Sequence, residues 1–123
     1  MEFIAKKEVR KKVFDKYRGH CAYCGVELCM TSLRVDHIEP LKRHLYRPDV
    51  RKHLDVIDNL NPSCVSCNSS KSSLSLEMWR VEISEKHNML LRYDSTYRLL
   101  HRFGMLTINN NFKFYFERNS NVL

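Results

Sequence analysis

The sequence predicts a small α+β domain. Three observations carry that prediction: a repeated C-x-x-C spacing, one short β-favouring segment between the two repeats, and helical apolar periodicity on either side of them. At 123 residues the chain is expected to be one domain, 1–123, whose single core is only modestly stabilising, so an added staple is expected.

The elements follow in order. Val9, Val13 and Tyr17 recur at four-residue steps, with Lys6, Lys7, Arg10, Lys11 and Lys12 over the remaining surface. This pattern predicts an N-terminal helix over 5–17, ended by Gly19. "HCAYCGVEL" predicts a tight cysteine turn, and "SLRVDHI" has the β-branched and apolar content of a strand. The basic segment "KRHLYRPDVRKHLDVID" is expected to be irregular around Pro48. In "NLNPSCVSCNSSK", Asn61 can cap and Pro62 suits a first helical position, so a helix is expected from Pro62 to Ser72. A longer C-terminal helix follows over 75–93, capped at Ser75, with Leu76, Trp79, Ile83 and Leu90 as its apolar set. A shorter one starts at Asp94 and stops at Gly104. The tail "MLTINNNFKFYFER" alternates, which predicts a terminal β-hairpin around an Asn-rich turn.

Lys and Arg outnumber Asp and Glu 21 to 14, a formal charge of +7, which favours a polyanionic partner, nucleic acid or an acidic surface. No apolar run approaches the ~18 residues of a membrane span, and the N-terminus is charged where a leader would be apolar. No membrane partner is expected, and the chain reads as intracellular, in the cytoplasm. In that reducing setting a disulfide framework is not expected, and Cys29, outside both pairs, is expected to be a small buried apolar residue.

Cys21 with Cys24, and Cys64 with Cys67, supply four thiolates. That is the number and softness tetrahedral Zn²⁺ prefers, and it leaves no open position, so the zinc is structural. A redox dithiol and an iron–sulfur cluster are the alternatives. Thirty-nine residues separate Cys24 from Cys64, well beyond the ~15–20 of a simple two-knuckle module. The gap contains Asp36, His37 and Asn59, and Asn68 follows the last cysteine.

Together "HCAYC", "VDHIEP", "NLNPSCVSCN" and "SSK" resemble the pattern of zinc-containing, ββα-metal HNH endonucleases over about residues 8–75, leaving 76–123 as an extension. The resemblance implies a ββα-metal core and hydrolysis of DNA phosphodiester bonds to 5′-phosphate and 3′-hydroxyl ends. It implies His37 as the general base activating water, a role neutral imidazole suits near neutral pH. Asp36 and Asn68 would hold a catalytic Mg²⁺ or Mn²⁺ that stabilises the departing 3′ oxygen. Asn59 would steady the loop carrying His37, and Lys71 would lie near the phosphate or brace the helix. Cys64, Asn68 and Lys71 fall at i, i+4 and i+7, one helical face. Where some members carry a further histidine, this chain has Ser72, which lowers the expected preference for transition metals.

Arg43, Arg47, Arg51 and Lys52 are the further candidates for DNA contact. His20, His44 and His53 are expected to lie outside the chemistry. Small free-standing members occur in phage packaging modules, mobile introns and restriction or defence systems, and both monomer and homodimer stay open. The competing expectation is a non-catalytic, zinc-stabilised DNA-binding module, against which Asp36, His37 and Asn68 argue together.

Overall fold

The computed structural model describes residues 6–109 and 111–119. They fall into two compact units, one running through Leu76 and resuming at Lys113, the other spanning Glu77–Phe112.

In the first unit, helix α1 (Lys7–Asp15) buries Val9 and Val13 against Leu60, with Val35 and Ile57 packed alongside. Tyr17 is buried too, so the four-residue periodicity is the core stripe expected of it. Two of the helix's cations are structural. The Arg10 guanidinium donates to the carbonyls of Met30 (3.1 Å) and Leu33 (3.3 Å), and the Lys16 ammonium to those of Leu60 (2.7 Å) and Ile57 (3.3 Å). Burial pushes the Lys16 pKa down, partly offset by Asp58. Lys7, Lys11 and Lys12 remain exposed.

Strands β1 (Arg34–His37) and β2 (Leu60–Ser63) form an antiparallel pair with Asp36 opposite Asn61 and His37 opposite Leu60. The helix expected from Pro62 therefore starts later. Pro62 sits in β2, which a two-stranded sheet tolerates, and Cys64 caps the helix that follows, α3 (Val65–Lys71), by accepting from the Cys67 amide.

The segment between the strands is also more regular than expected. A 3-10 turn (Leu41–His44), helix α2 (Pro48–Leu54) and a second 3-10 turn (Ile57–Asn59) replace the irregular loop. Helix α2 buries no residue, so it carries no apolar periodicity to read. What specifies it is Pro48 at its first turn, Asp49 beside it, and Arg51, Lys52 and His53 in its last turn, an order that suits the helix dipole.

Two further expectations fail. Cys29 is exposed, because its carbonyl accepts the turn bonds from Ser32 and Leu33 while its thiol stays outside with Thr31 and Ser32. Hydrogen bonding with Ser32 and then Thr31 lowers the pKa of that thiol to about 6. The tail forms no hairpin among the described residues. Instead Phe114 packs edge-on to Tyr23, and Glu117 accepts from the Phe114 amide at 2.8 Å, starting the short helix Tyr115–Arg118. The aromatic alternation serves packing on the cysteine turn.

In the second unit, helix α4 (Leu76–Tyr93) is followed by α5 (Ser95–Arg102), which Asp94 caps by accepting from the Tyr97 amide at 2.9 Å. Gly104, at φ +74°, ends it as expected. Arg98 donates to the Leu91 carbonyl (3.1 Å), tying the two helices, and Arg80 reaches the Phe112 carbonyl (3.3 Å). Among the described residues, no helix is long and apolar enough to cross a membrane.

Candidate active site and metal centre

The turn after α1 carries Cys21 and Cys24, and the entry to α3 carries Cys64 and Cys67. Their four sulfurs lie within 4.8 Å of one another, with Cys24 and Cys64 Sγ 3.8 Å apart. Tetrahedral zinc at a Zn–S distance of ~2.3 Å places its sulfurs roughly 3.8 Å apart, so the cluster fits such an ion. Amide donors already point at the sulfurs: Cys64 N–H to Cys21 Sγ and Cys67 N–H to Cys64 Sγ, both at 3.3 Å. The Cys67 thiol, with the backbone amides of Cys24, Cys64 and Tyr23, holds the Cys21 pKa down to about 4, while those of Cys67 and Cys24 are pushed up, Cys67 mainly by Cys21 and Cys24 by burial. Four sulfurs crowded this closely form a site that a cation relieves. Gly25 follows at φ +81°, where a Cβ would meet the Tyr115 ring at 2.7 Å, so this turn requires glycine. His20 lies outside the cluster, its ring stacked on Tyr115.

A cleft of about 500 Å³ opens beside the sheet, lined among others by Asp36, His37, Lys42, Arg51 and Asn68. Strand neighbours point to opposite faces, so Asp36 and His37 can share a cleft only where the strand stops. It stops at His37, after which Ile38 N–H reaches the Asn59 carbonyl at 2.8 Å. The Asn59 side chain then accepts from the Glu39 amide (3.0 Å) and donates to the carbonyls of Glu39 (3.1 Å) and Leu54 (2.8 Å). It clamps the turn that carries His37 and does not line the cleft.

Asp36 is buried. The Tyr23 hydroxyl donates to its Oδ2, and the Lys71 ammonium lies 3.2 Å from Oδ2 and 3.4 Å from Oδ1. Burial raises the Asp36 pKa, and Lys71 and then Tyr23 oppose that rise. Lys71 has no exposed side-chain surface and also donates to the His37 carbonyl at 3.0 Å. A DNA contact for Lys71 is therefore corrected: its charge is consumed inside, bracing α3 against β1.

The His37 ring is fixed by a 2.8 Å bond between Nε2 and Asp55 Oδ1, which leaves Nδ1 as the nitrogen open to chemistry. Asp55, at the end of α2, has no motif to mark it; only folding α2 back on β1 brings it there. Asn68 lines the cleft one turn beyond Cys64. A carboxylate offers about four acceptor positions, so Asp36 retains capacity for a cation beside Asn68.

The expected basic group divides. Arg51 lines the cleft, its Nε buried without a partner among the described residues, whereas Arg43 turns to Glu39 (3.6 Å) and Arg47 to Asp49 (3.7 Å). Lys52 is exposed and outside the cleft lining. Lys42, which lacks a motif position, lines the cleft instead.

Two cysteine pairs that could hold one metal ion, with a two-stranded sheet and a helix bringing an acid, a histidine and an asparagine to one cleft, define a ββα arrangement. The family model for HNH endonucleases matches residues 21–74, the stretch that carries the four cysteines and the cleft. Similarity to that family suggests metal-using, nuclease-type activity on nucleic acid. No curated protein and no solved structure matches the chain.

Proposed function

We propose that the protein is a metal-dependent endonuclease that hydrolyses DNA phosphodiester bonds to 5′-phosphate and 3′-hydroxyl ends. The observation that carries this reading is the convergence of Asp36, His37 and Asn68 on one cleft, with His37 pinned by Asp55. His37 Nδ1 takes a proton from water, and Asp55 holds the ring and stabilises the imidazolium that forms. Mg²⁺ or Mn²⁺ bound by Asp36 and Asn68 would supply positive charge against the developing phosphorane and the departing 3′ oxygen. Asn59 keeps the His37 turn in place. Arg51 and Lys42 would meet phosphates at the cleft, and Arg43, Arg47 and Lys52 phosphates further along the strand. Zinc in the cysteine site would hold α3 to the first knuckle.

One observation favours the second reading, a binding module without catalysis: Asp36 already carries the Lys71 charge, which opposes an incoming cation. Cleavage of supercoiled plasmid separates the two. The nuclease reading expects cleavage that requires added Mg²⁺ or Mn²⁺ and vanishes in His37→Ala with folding and DNA affinity retained. Cleavage by His37→Ala refutes the base assignment, and binding without cleavage under any divalent cation establishes the module.

A further inference from the structure

Tyr23 sits between the first two cysteines, and holding metal asks nothing of its hydroxyl. The ring is buried, edge-on to Phe114 (5.6 Å) and Phe116 (5.9 Å). Its backbone is fixed as well: Tyr115 N–H donates to the Tyr23 carbonyl (3.0 Å), Phe116 N–H to that of Ala22 (2.7 Å), and Ala22 N–H to that of Pro62 (2.8 Å). The enclosed ring delivers its hydroxyl to Asp36 Oδ2. Asn61, directly across the ladder from Asp36, makes no hydrogen bond to it. The carboxylate is thus held by Tyr23 and Lys71. One comes from the turn bearing Cys21 and Cys24, the other from the helix beginning after Cys64 and bearing Cys67.

We propose that Tyr23 is a positioning residue for Asp36, and that through it the cysteine site governs how tightly the cleft holds a divalent cation. The proposal rests on the reading of Asp36 and Asn68 as the cation's ligands. Partners that orient a metal ligand contribute strongly to affinity although they never touch the metal. Tyr23 differs from an ordinary orienting partner in belonging to the other metal centre, so that ordering the sulfurs orders the carboxylate. Reciprocity follows, because a cation that fixes Asp36 must also favour the closed knuckle.

The test uses the full zinc-loaded chain, titrated with Mn²⁺ and followed by the electron paramagnetic resonance of free Mn²⁺. Tyr23→Phe keeps the ring packing and removes only the hydroxyl. It is expected to retain about one zinc per chain and a near-native unfolding temperature, and to bind Mn²⁺ roughly 10- to 100-fold more weakly. Plasmid cleavage should need correspondingly more Mn²⁺ and recover its rate at saturation, a split that a merely destabilised protein does not show. Mn²⁺ affinity within about twofold of wild type, or tighter, overturns the proposal. Asp36→Asn separates the two failures. If it loses Mn²⁺ while Tyr23→Phe does not, the role of Tyr23 falls alone; if it binds like wild type, the cation-site assignment falls and this proposal with it. Should Tyr23→Phe shed zinc, Phe116→Leu loosens the ring while keeping the hydroxyl. Weaker Mn²⁺ binding at full zinc content then supports the coupling, and unchanged binding overturns it.

Discussion

Lys71→Met is the most informative single perturbation, because it separates a buried brace from a DNA contact. Both side chains of the pair are nearly sealed, at 0% and 7% exposure, and the ammonium makes three contacts, at 3.2 and 3.4 Å to Asp36 and 3.0 Å to the His37 carbonyl. Methionine fills most of the volume, so the loss is chiefly electrostatic: a buried carboxylate is left with Tyr23. Breaking such a pair from one side costs about 3–5 kcal/mol, which for a chain of this size lowers the unfolding temperature by roughly 10–20 °C. The pH dependence gives the sharper check. The Asp36 pKa is already raised, and Lys71 is the largest influence holding it back, so the variant raises it further. A carboxyl whose folded pKa exceeds its unfolded value contributes stability that is present below the unfolded value and lost as pH rises through the folded one. The variant's deficit should therefore be small near pH ~4 and full by pH ~8, read from urea unfolding without added divalent cation. A deficit below about 1 kcal/mol, or one equal at both pH values, refutes the buried-pair account.

Two further outcomes are expected. Cys24→Ser, or a strong chelator applied to the wild type, should release a metal held by the cysteines and abolish cooperative unfolding of the first unit by circular dichroism, since the buried Cys21, Ala22 and Tyr23 belong to the cysteine turn itself. Native signal surviving complete metal loss counts against the staple. Asp55→Asn should lower cleavage between about tenfold and 10⁴-fold, with DNA affinity and thermal stability near wild type, because the amide can leave the wrong His37 nitrogen protonated. An undiminished rate removes Asp55 from the mechanism.

Much of this site is legible as text because its parts are held by spacing. The two C-x-x-C pairs meet in space, and Asp36, His37 and Asn68 share a cleft. The adjacency of Asp36 and His37 asks for a strand that bulges or ends there, and β1 ends at His37. What the text hides depends on tertiary context. Helix α2 buries nothing, so it has no period to detect, and Asp55 acquires its partner only when that helix folds back. Asn61–Pro62 has the local chemistry of a helix start, yet pairing with β1 and burial of Asn61 override it. Lys71 looks like a phosphate ligand by type, and only the depth of Asp36 shows where its charge goes. The tail's alternating aromatics fit a hairpin and a packed plug equally well, and the edge-on contact of Phe114 with Tyr23 selects the plug.

The long separation between the cysteine pairs has a consequence for how such a protein can change. The four sulfurs close a loop of 39 intervening residues, and the closure entropy of a flexible loop grows only logarithmically, by about 0.6 kcal/mol for each doubling of length. Within that loop the β1–β2 ladder and the Asn59 clamp fix the chemistry, whereas Leu45 and Tyr46, the latter 94% exposed, lie between the 3-10 turn and α2 and pack against little. An insertion at that apex would cost the domain little stability and leave Asp36 and His37 where they are. It is the place where a longer relative could acquire new contacts to nucleic acid without rebuilding its reactive centre.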